Sequence, residues 1–167
     1  MKKVLPFAGL IAFVLALVAF ILMLATNGVV VTSGNLQVNY AGTTVIFGKT
    51  ESTILGDVVT KPSVLALIGW ILLLVGLLAA CVAVLGGLLK IKVLAKLGGL
   101  MMLIAAGCFL VAGIFMFLAV PTFYGANDTD IPSGAALGAG WVIGAILALV
   151  GAGFSALPAV MGLLGKN

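Results

Sequence analysis

Four long stretches without a charged side chain constrain the fold of this chain more than any other feature. They are residues 4–25, 64–89, 97–120 and 137–164. About 20 apolar residues in a helix cross the hydrocarbon core of a bilayer, which is roughly 30 Å thick. Because lipid offers no hydrogen-bond partner, a crossing segment has to satisfy its backbone groups as a helix. The sequence therefore predicts an all-α transmembrane four-helix bundle, within a single membrane domain that spans 1–167.

The composition agrees with a membrane protein. Hydrophobic residues make up 64% of the chain, charged residues 7%, and the mean hydropathy is +1.43. Soluble domains carry about 25% charged residues, so this composition excludes a soluble globular domain. The net charge is +4, but the lysines border apolar runs instead of forming a basic patch with stacking aromatics. No nucleic-acid partner is expected.

The lysines predict the orientation in the membrane. Six of the eight flank the same end of the apolar segments: Lys2, Lys3, Lys90, Lys92, Lys96 and Lys166. The other end carries the remaining two and all four acids: Lys49, Lys61, Glu51, Asp57, Asp128 and Asp130. Lysine-rich ends stay in the cytoplasm. We therefore expect cytoplasmic termini, a cytoplasmic loop at 90–96, and external loops at 26–63 and 121–136.

Three aromatic residues lie where the external membrane interface is predicted. Trp70 and Trp141 occur near the external ends of their segments, and Tyr124 lies in the adjoining loop. Tryptophan and tyrosine are enriched at membrane–water interfaces. We therefore predict that these three side chains are interface anchors.

The first external loop has the pattern of β-structure. Leu36, Val38 and Tyr40 alternate with polar residues, which is the period of a half-buried strand. The β-branched and aromatic run 43–47 favours a second strand. Further strands are predicted at 52–55 and 58–60, joined by a turn at Gly56-Asp57, with an edge strand at 29–32 and one more possible in 121–136. The expected result is a small external antiparallel sheet, whose recognition surface comprises Leu36, Val38, Tyr40, Val45 and Phe47.

Small residues recur at helical spacing and predict close packing. The fourth segment repeats them every four positions, at Gly140, Gly144, Ala148, Ala152 and Ala156, and the second segment has Gly76 and Ala80. Helices in lipid associate through van der Waals contact at such positions. We expect these residues to form the helix interfaces.

The residues needed for catalysis are largely missing. The chain has no histidine, and Cys81 and Cys108 lie within apolar segments. We therefore expect neither enzymatic activity nor a cofactor. Asn127, Asp128 and Asp130 offer oxygen ligands of the kind that Ca²⁺ binds, but without the glycine and distal glutamate of an EF-hand. A solvated turn is predicted there, with a weak cation site as the alternative, and Asn127-Asp128-Thr129 also forms a glycosylation sequon.

The layout resembles the claudin-like tetraspan membrane proteins. The shared features are four helices, cytoplasmic termini, a long β-forming first external loop and a shorter second one. The family signature in the first loop is a Trp, then Gly-Leu-Trp, then two disulfide-bonded Cys. Residues 26–63 contain neither Trp nor Cys, so no family residue is carried over. The chain also resembles small bacterial membrane proteins built from four helices, and this resemblance implies a bacterial plasma membrane as the location.

These patterns together predict a protein that acts by association. The leading hypothesis is a non-enzymatic adhesion, scaffold or structural protein that binds through its external β-loop. The expected partners are membrane lipid and either further copies of the chain, as a homo-oligomer, or another membrane protein. Two alternatives are an oligomeric channel or facilitator, and an accessory subunit of a larger membrane complex.

Overall fold

The computed structural model describes residues 4–53, 56–89 and 92–164, with side chains for 7–53, 56–89 and 97–161. In chain order the elements are α1 (Val4–Ala25), β1 (Asn27–Ser33), β2 (Leu36–Ala41), α2 (Gly42–Phe47), β3 (Lys49–Thr53), β4 (Gly56–Thr60), α3 (Val64–Leu88), α4 (Lys92–Phe117), α5 (Ala119–Ala126), β5 (Ala135–Leu137) and α6 (Ala139–Leu164). The predicted combination of four long apolar helices with a small antiparallel sheet is confirmed.

Four helices in the described part of the chain are long and apolar enough to cross a membrane. The qualifying segments are Phe7–Ala25, Val64–Leu88, Leu97–Phe117 and Ala139–Met161. At most 44% of the residues in each apolar window are buried inside the protein, so most of their apolar side chains face outward. An apolar surface of this extent is incompatible with water on all sides. The helices indicate a multi-pass membrane protein.

The four long helices pack in a ring, in the order α1, α3, α4, α6 and back to α1. The small residues lie at these interfaces. Ala148 and Ala152 are buried, and Ala156 is half-buried. A Cβ on Gly144 would lie 2.9 Å from the Met116 side chain of α4 and 3.4 Å from the Ala19 carbonyl of α1. Glycine at this position therefore lets α6 approach two neighbouring helices at once.

The helix α3 approaches α4 in the same way. A Cβ on Gly76 would collide with the ring of Phe109, which is fully buried, and Ala80 one turn later is also fully buried. Close backbone approach replaces the hydrophobic driving force that lipid does not supply.

A three-stranded antiparallel sheet forms beyond the ends of α1 and α6, with the strand order β2-β1-β5. Val31 pairs with Val38, and Val30 pairs with Ala136. The strand predicted at 29–32 as an edge is therefore the central strand. Its second partner is the short strand β5, which supplies the further pairing that the second loop only weakly indicated.

The strands β3 and β4 form a separate two-stranded hairpin, paired from Lys49 with Thr60 to Thr53 with Gly56. The predicted turn at Gly56-Asp57 is wrong in position, because both residues belong to β4. The residues between the strands, 54 and 55, lie outside the described residues.

The strand predicted at 43–47 is wrong, because these residues form the short helix α2. Gly42, Val45 and Ile46 are buried together, and residues three and four apart share one face only in a helix. Gly48 follows with φ +76°, a conformation that ends the helix. The β-propensity of this run is overridden by burial of one helical face, since β-propensity depends strongly on context.

Two helix boundaries also differ from the sequence prediction. The helix α4 begins at Lys92, inside the predicted loop 90–96, and α5 occupies 119–126, where a loop was expected from 121. Of the lysines that predict the orientation, Lys2, Lys3, Lys90 and Lys166 lie outside the described residues, so a cytoplasmic position of the termini stays a prediction.

Candidate interaction surface

The candidate surface lies on what we call the cap, which comprises residues 26–53, 56–63 and 118–138 at one end of the helix bundle. Three joints hold the segments of the cap together and fix it to the long helices. Each is a set of polar or close contacts between segments far apart in sequence, and together they determine which side chains are left exposed.

The first joint is built around Trp141, in the first turn of α6. Its side chain is fully buried, and Nε1 donates a hydrogen bond of 3.0 Å to the carbonyl oxygen of Met23. Met23 lies in the last turn of α1, where carbonyl groups have no partner within the helix. The expected role of Trp141 as an interface anchor is therefore wrong, because the indole stabilises the end of α1 from inside the protein.

Glycines allow the backbone to close around this indole. A Cβ on Gly42 would overlap the Met23 carbonyl oxygen, and one on Gly28 would lie 3.1 Å from the ring of Trp141. A Cβ on Gly140 would overlap the side chain of Thr26. The predicted packing residue Gly140 thus contacts the connection between α1 and β1.

The second joint is the side-chain amide of Asn127, just after α5. Its Oδ1 accepts from the Lys61 backbone N–H at 2.8 Å, and its Nδ2 donates to the Lys61 carbonyl at 3.1 Å. Nδ2 also donates to the Phe123 carbonyl at 2.8 Å. The amide therefore binds the segment before α3 as a neighbouring strand would. Because Nδ2 is engaged twice, this asparagine is poorly placed to accept a glycan.

An ion pair lies beside this amide. Lys61 Nζ donates to Asp128 Oδ2 at 2.8 Å, and the hydrogen bond and charge of Lys61 hold the pKa of Asp128 below its usual value. Both side chains are largely exposed, so the pair contributes little stability. The oxygens of Asn127 and Asp128 that suggested a cation site are directed at Lys61, and Asp130 is exposed in the following loop. No group of three His, Cys, Asp or Glu side chains suited to a metal ion occurs in the described part of the chain.

The third joint is made by Ser63, the N-cap of α3. Its Oγ accepts from the Ala66 N–H at 3.3 Å and shares a 2.6 Å hydrogen bond with Thr122 Oγ1 of α5. Its own N–H donates to the Val45 carbonyl in α2. A serine before an apolar run is a recognisable N-cap signal, although this role of Ser63 was not predicted from the sequence. Nothing in the sequence indicates the contacts of Ser63 with α2 and α5.

Aromatic rings fill the space under the cap. Tyr40 of β2 packs on Phe123 at 4.9 Å, and Phe123 contacts Tyr124 at 5.6 Å. Tyr124 lies on α5 and is buried, instead of in a loop at the interface, and burial together with nearby Tyr40 raises its pKa. Trp70 is half-buried between two phenylalanine rings, Phe20 of α1 and Phe47 of α2.

The residues predicted for recognition divide into two groups. Val45 is fully buried, so it cannot take part in surface recognition, and Tyr40 is half-buried against Phe123. Leu36 and Val38 are 76% and 52% exposed on β2. Phe47 is also exposed, although its ring contacts Trp70 edge-on. Of the residues predicted for recognition, Leu36 and Val38 are therefore the exposed apolar side chains on the three-stranded sheet.

The opposite face of the sheet mixes polar and apolar residues. It borders a shallow cavity of about 410 Å³ near the ends of α1 and α6. The cavity is lined by Thr26, Asn27, Val30 and Gln37 together with residues 136–140. Gln37 projects to this face because side chains alternate along a strand. The apolar and polar faces of β2 are thus clearly separated.

The fold and this surface define a class: a multi-pass membrane protein with four apolar helices and a small β-sheet cap at one end. No protein-family model matches the chain, and no curated protein is significantly similar to it in sequence. The chemistry of the cap is therefore the basis for a functional proposal.

Proposed function

We propose that this protein is a non-enzymatic membrane protein that acts by association, through the apolar face of β2 on its cap. The observation that carries the proposal is the exposure of Leu36 and Val38 on a strand that is held in place by its pairing with β1 and by the packing of Tyr40 on Phe123. Neighbouring exposed apolar side chains on an ordered strand are typical of an interaction site. A non-enzymatic role agrees with the absence of histidine from the sequence.

The interior of the bundle favours association over transport by a single chain. Leu73, Phe109 and Met116 are fully buried between the long helices. The spanning segments contain no Asp, Glu, Lys, Arg or His, although coupled transporters place ionisable groups inside the membrane. A channel or facilitator would therefore need a path between copies, and flux measurements separate that alternative from the proposal.

The claudin-like layout supports the same proposal at the level of topology. Proteins with this layout present a β-forming loop outside the membrane, and the lysine distribution favours an external position for the cap of this chain. The resemblance to small bacterial membrane proteins supports a bacterial plasma membrane as the location. Since residues 26–63 lack the tryptophan and cysteine signature, the proposal does not extend to sealing between cells.

The test compares the two faces of β2 in intact membranes. Leu36→Ser with Val38→Ser makes the apolar face polar, and Gln37→Ser with Asn39→Ser is the matched control on the other face. Chemical cross-linking, followed by gentle solubilisation and native mass spectrometry, reports association. We expect the first variant to lose its cross-linked species and the control to retain them, at equal insertion. Unchanged cross-linking in the first variant contradicts the proposal, and solute flux in liposomes that does not depend on β2 favours the channel alternative.

A further inference from the structure

We infer that β2 pairs edge to edge with the β2 strand of a second copy, antiparallel and in a register centred on Val38. The inference rests on the proposed function and specifies its partner as another copy of this chain. Two independent features support it: the character of the strand edge and the self-complementarity of its sequence.

The first feature is an open strand edge. The central strand β1 is paired on both sides, whereas β2 has no strand on its outer side within the described residues. A strand edge presents unpaired N–H and C=O groups that accept another strand, and most proteins protect it with charge or proline. The segment Leu36–Ala41 has neither, and five of its six residues are exposed. By contrast, the hairpin strand β3 carries the ion pair of Lys49 with Glu51.

The second feature is the sequence of the strand read against itself. With Val38 opposite the partner's Val38, Leu36 lies opposite the partner's Tyr40, and Gln37 lies opposite the partner's Asn39. Apolar residues then meet apolar residues on one face, and amides meet amides on the other. Such cross-strand pairs stabilise sheets. A shift of one residue would put Val38 opposite the partner's Asn39 and mix the two faces.

Among the registers that keep apolar residues opposite apolar residues, the exposure of Leu36 favours the one centred on Val38. Shifting by two residues toward the C-terminus leaves Leu36 outside the paired segment. Shifting by two toward the N-terminus places Tyr40 opposite Gly34, which has φ +57° and lies in the turn after β1. In the register centred on Val38, Leu36 covers the exposed part of the partner's Tyr40, and both apolar residues of β2 are shielded.

The resulting assembly closes on itself. Antiparallel pairing of one strand with its own copy gives a two-fold interface, in which the same patch is used on both sides. The two three-stranded sheets become one continuous sheet of six strands. The remaining edges are the β5 strands, which are three residues long, and such short edge strands discourage further pairing. A dimer is the expected product.

The test uses single cysteines in a background that lacks the native ones. Cys81 and Cys108 are free and half-buried, and both are replaced by alanine. Directly opposite residues in an antiparallel pair have Cα atoms about 4.5–5.5 Å apart, which is within disulfide range. Val38→Cys should therefore form a disulfide-linked dimer on mild oxidation in the membrane.

Neighbouring positions provide matched controls for the register. Cysteines at Gln37 or Asn39 would lie about 8 Å from their copies, which is too far for a disulfide. Leu36→Cys would be farther still, although it is the most exposed of the series. We expect dimers from Val38→Cys and their absence from the three controls. Equal cross-linking at Leu36 would indicate random collision, and cross-linking at Gln37 or Asn39 in place of Val38 would indicate another register; either result overturns the inference.

The same experiment separates this inference from the broader proposal. If Val38→Cys gives no dimer while Leu36→Ser with Val38→Ser still abolishes cross-linking to another protein, self-pairing is wrong and association through β2 stands. If neither experiment has an effect, both are wrong. Unchanged thermal unfolding of each variant shows that the cap is intact.

Discussion

Replacing Asn127 by alanine tests whether a single side-chain amide joins the two segments of the cap. The substitution removes three hydrogen bonds, two to the backbone of Lys61 and one to the Phe123 carbonyl. The Lys61 N–H would then be left to water. Since this N–H has the Asn127 oxygen as its partner at 2.8 Å, its rate of hydrogen exchange reports directly on the joint.

The size of the effect follows from the number of bonds. A typical hydrogen bond contributes about 0.5–1.5 kcal/mol net, so three give about 1.5–4.5 kcal/mol. Asn127 is half-buried, and water replaces part of what is lost, so we expect about 2 kcal/mol, near the low end of that range. At about 1.4 kcal/mol per factor of ten, the Lys61 amide should exchange about 30-fold faster.

The assay is hydrogen exchange measured by NMR or mass spectrometry on the protein in lipid nanodiscs. Asp128→Asn is the matched control, because it removes the charge paired with Lys61 and leaves the amide contacts of Asn127 in place. Asparagine also tolerates the left-handed backbone of this position, where φ is +53°. Asn127→Asp keeps an acceptor for the Lys61 N–H but places oxygen against two carbonyl groups, so exchange should again be faster than in the native chain. If Asn127→Ala leaves Lys61 exchange unchanged, or if Asp128→Asn raises it more, the amide is not the joint.

Three further predictions concern packing, burial and charge. Gly76→Ala should lower the midpoint of thermal unfolding, because its Cβ would collide with an aromatic ring on α4, whereas Gly107→Ala has open space and should not lower it. Trp141→Phe should destabilise the protein by about 1–3 kcal/mol beyond the lost packing, since it leaves the buried Met23 carbonyl unpaired; circular dichroism during unfolding in detergent checks this, and an unchanged midpoint contradicts it. By carbon-13 NMR, the pKa of Asp128 should lie below the usual value of an aspartate, because the hydrogen bond and charge of Lys61 favour its ionised form. The small stabilisation from this ion pair is present at neutral pH and is lost as the pH falls through the lowered pKa; a midpoint at or above the usual value of an aspartate refutes the contact.

The helices of this protein could be predicted from the sequence because the signal is local. A charge-free run of sufficient length has to become a helix in lipid, whatever surrounds it. The strand β2 was also predictable, since the alternation from Leu36 to Tyr40 matches the period of a strand with two different faces. The small residues on α6 indicated close packing for the same reason, because their spacing places them on one side of a helix.

The parts of the cap that could not be predicted depend on distant contacts. The run 43–47 has the composition of a strand, but it forms a helix because burial of Val45 and Ile46 is decided by the neighbouring segments. Trp141 has the sequence position of an interface residue, yet its partner Met23 is 118 positions away. Likewise, Asn127 and Lys61 are 66 positions apart, and nothing near either residue indicates the other.

By itself, the sequence determined that this chain has four apolar helices, a small antiparallel sheet and a strand with one apolar and one polar face. Membrane crossing and strand alternation depend on the residues of a single segment, so they can be predicted from that segment alone. Only the tertiary structure decided that Trp141 and Val45 are buried, that Asn127 joins the two segments of the cap, and that β2 has no strand on its outer side among the described residues. Burial and pairing are relations between segments, and they become defined only when the bundle brings those segments together.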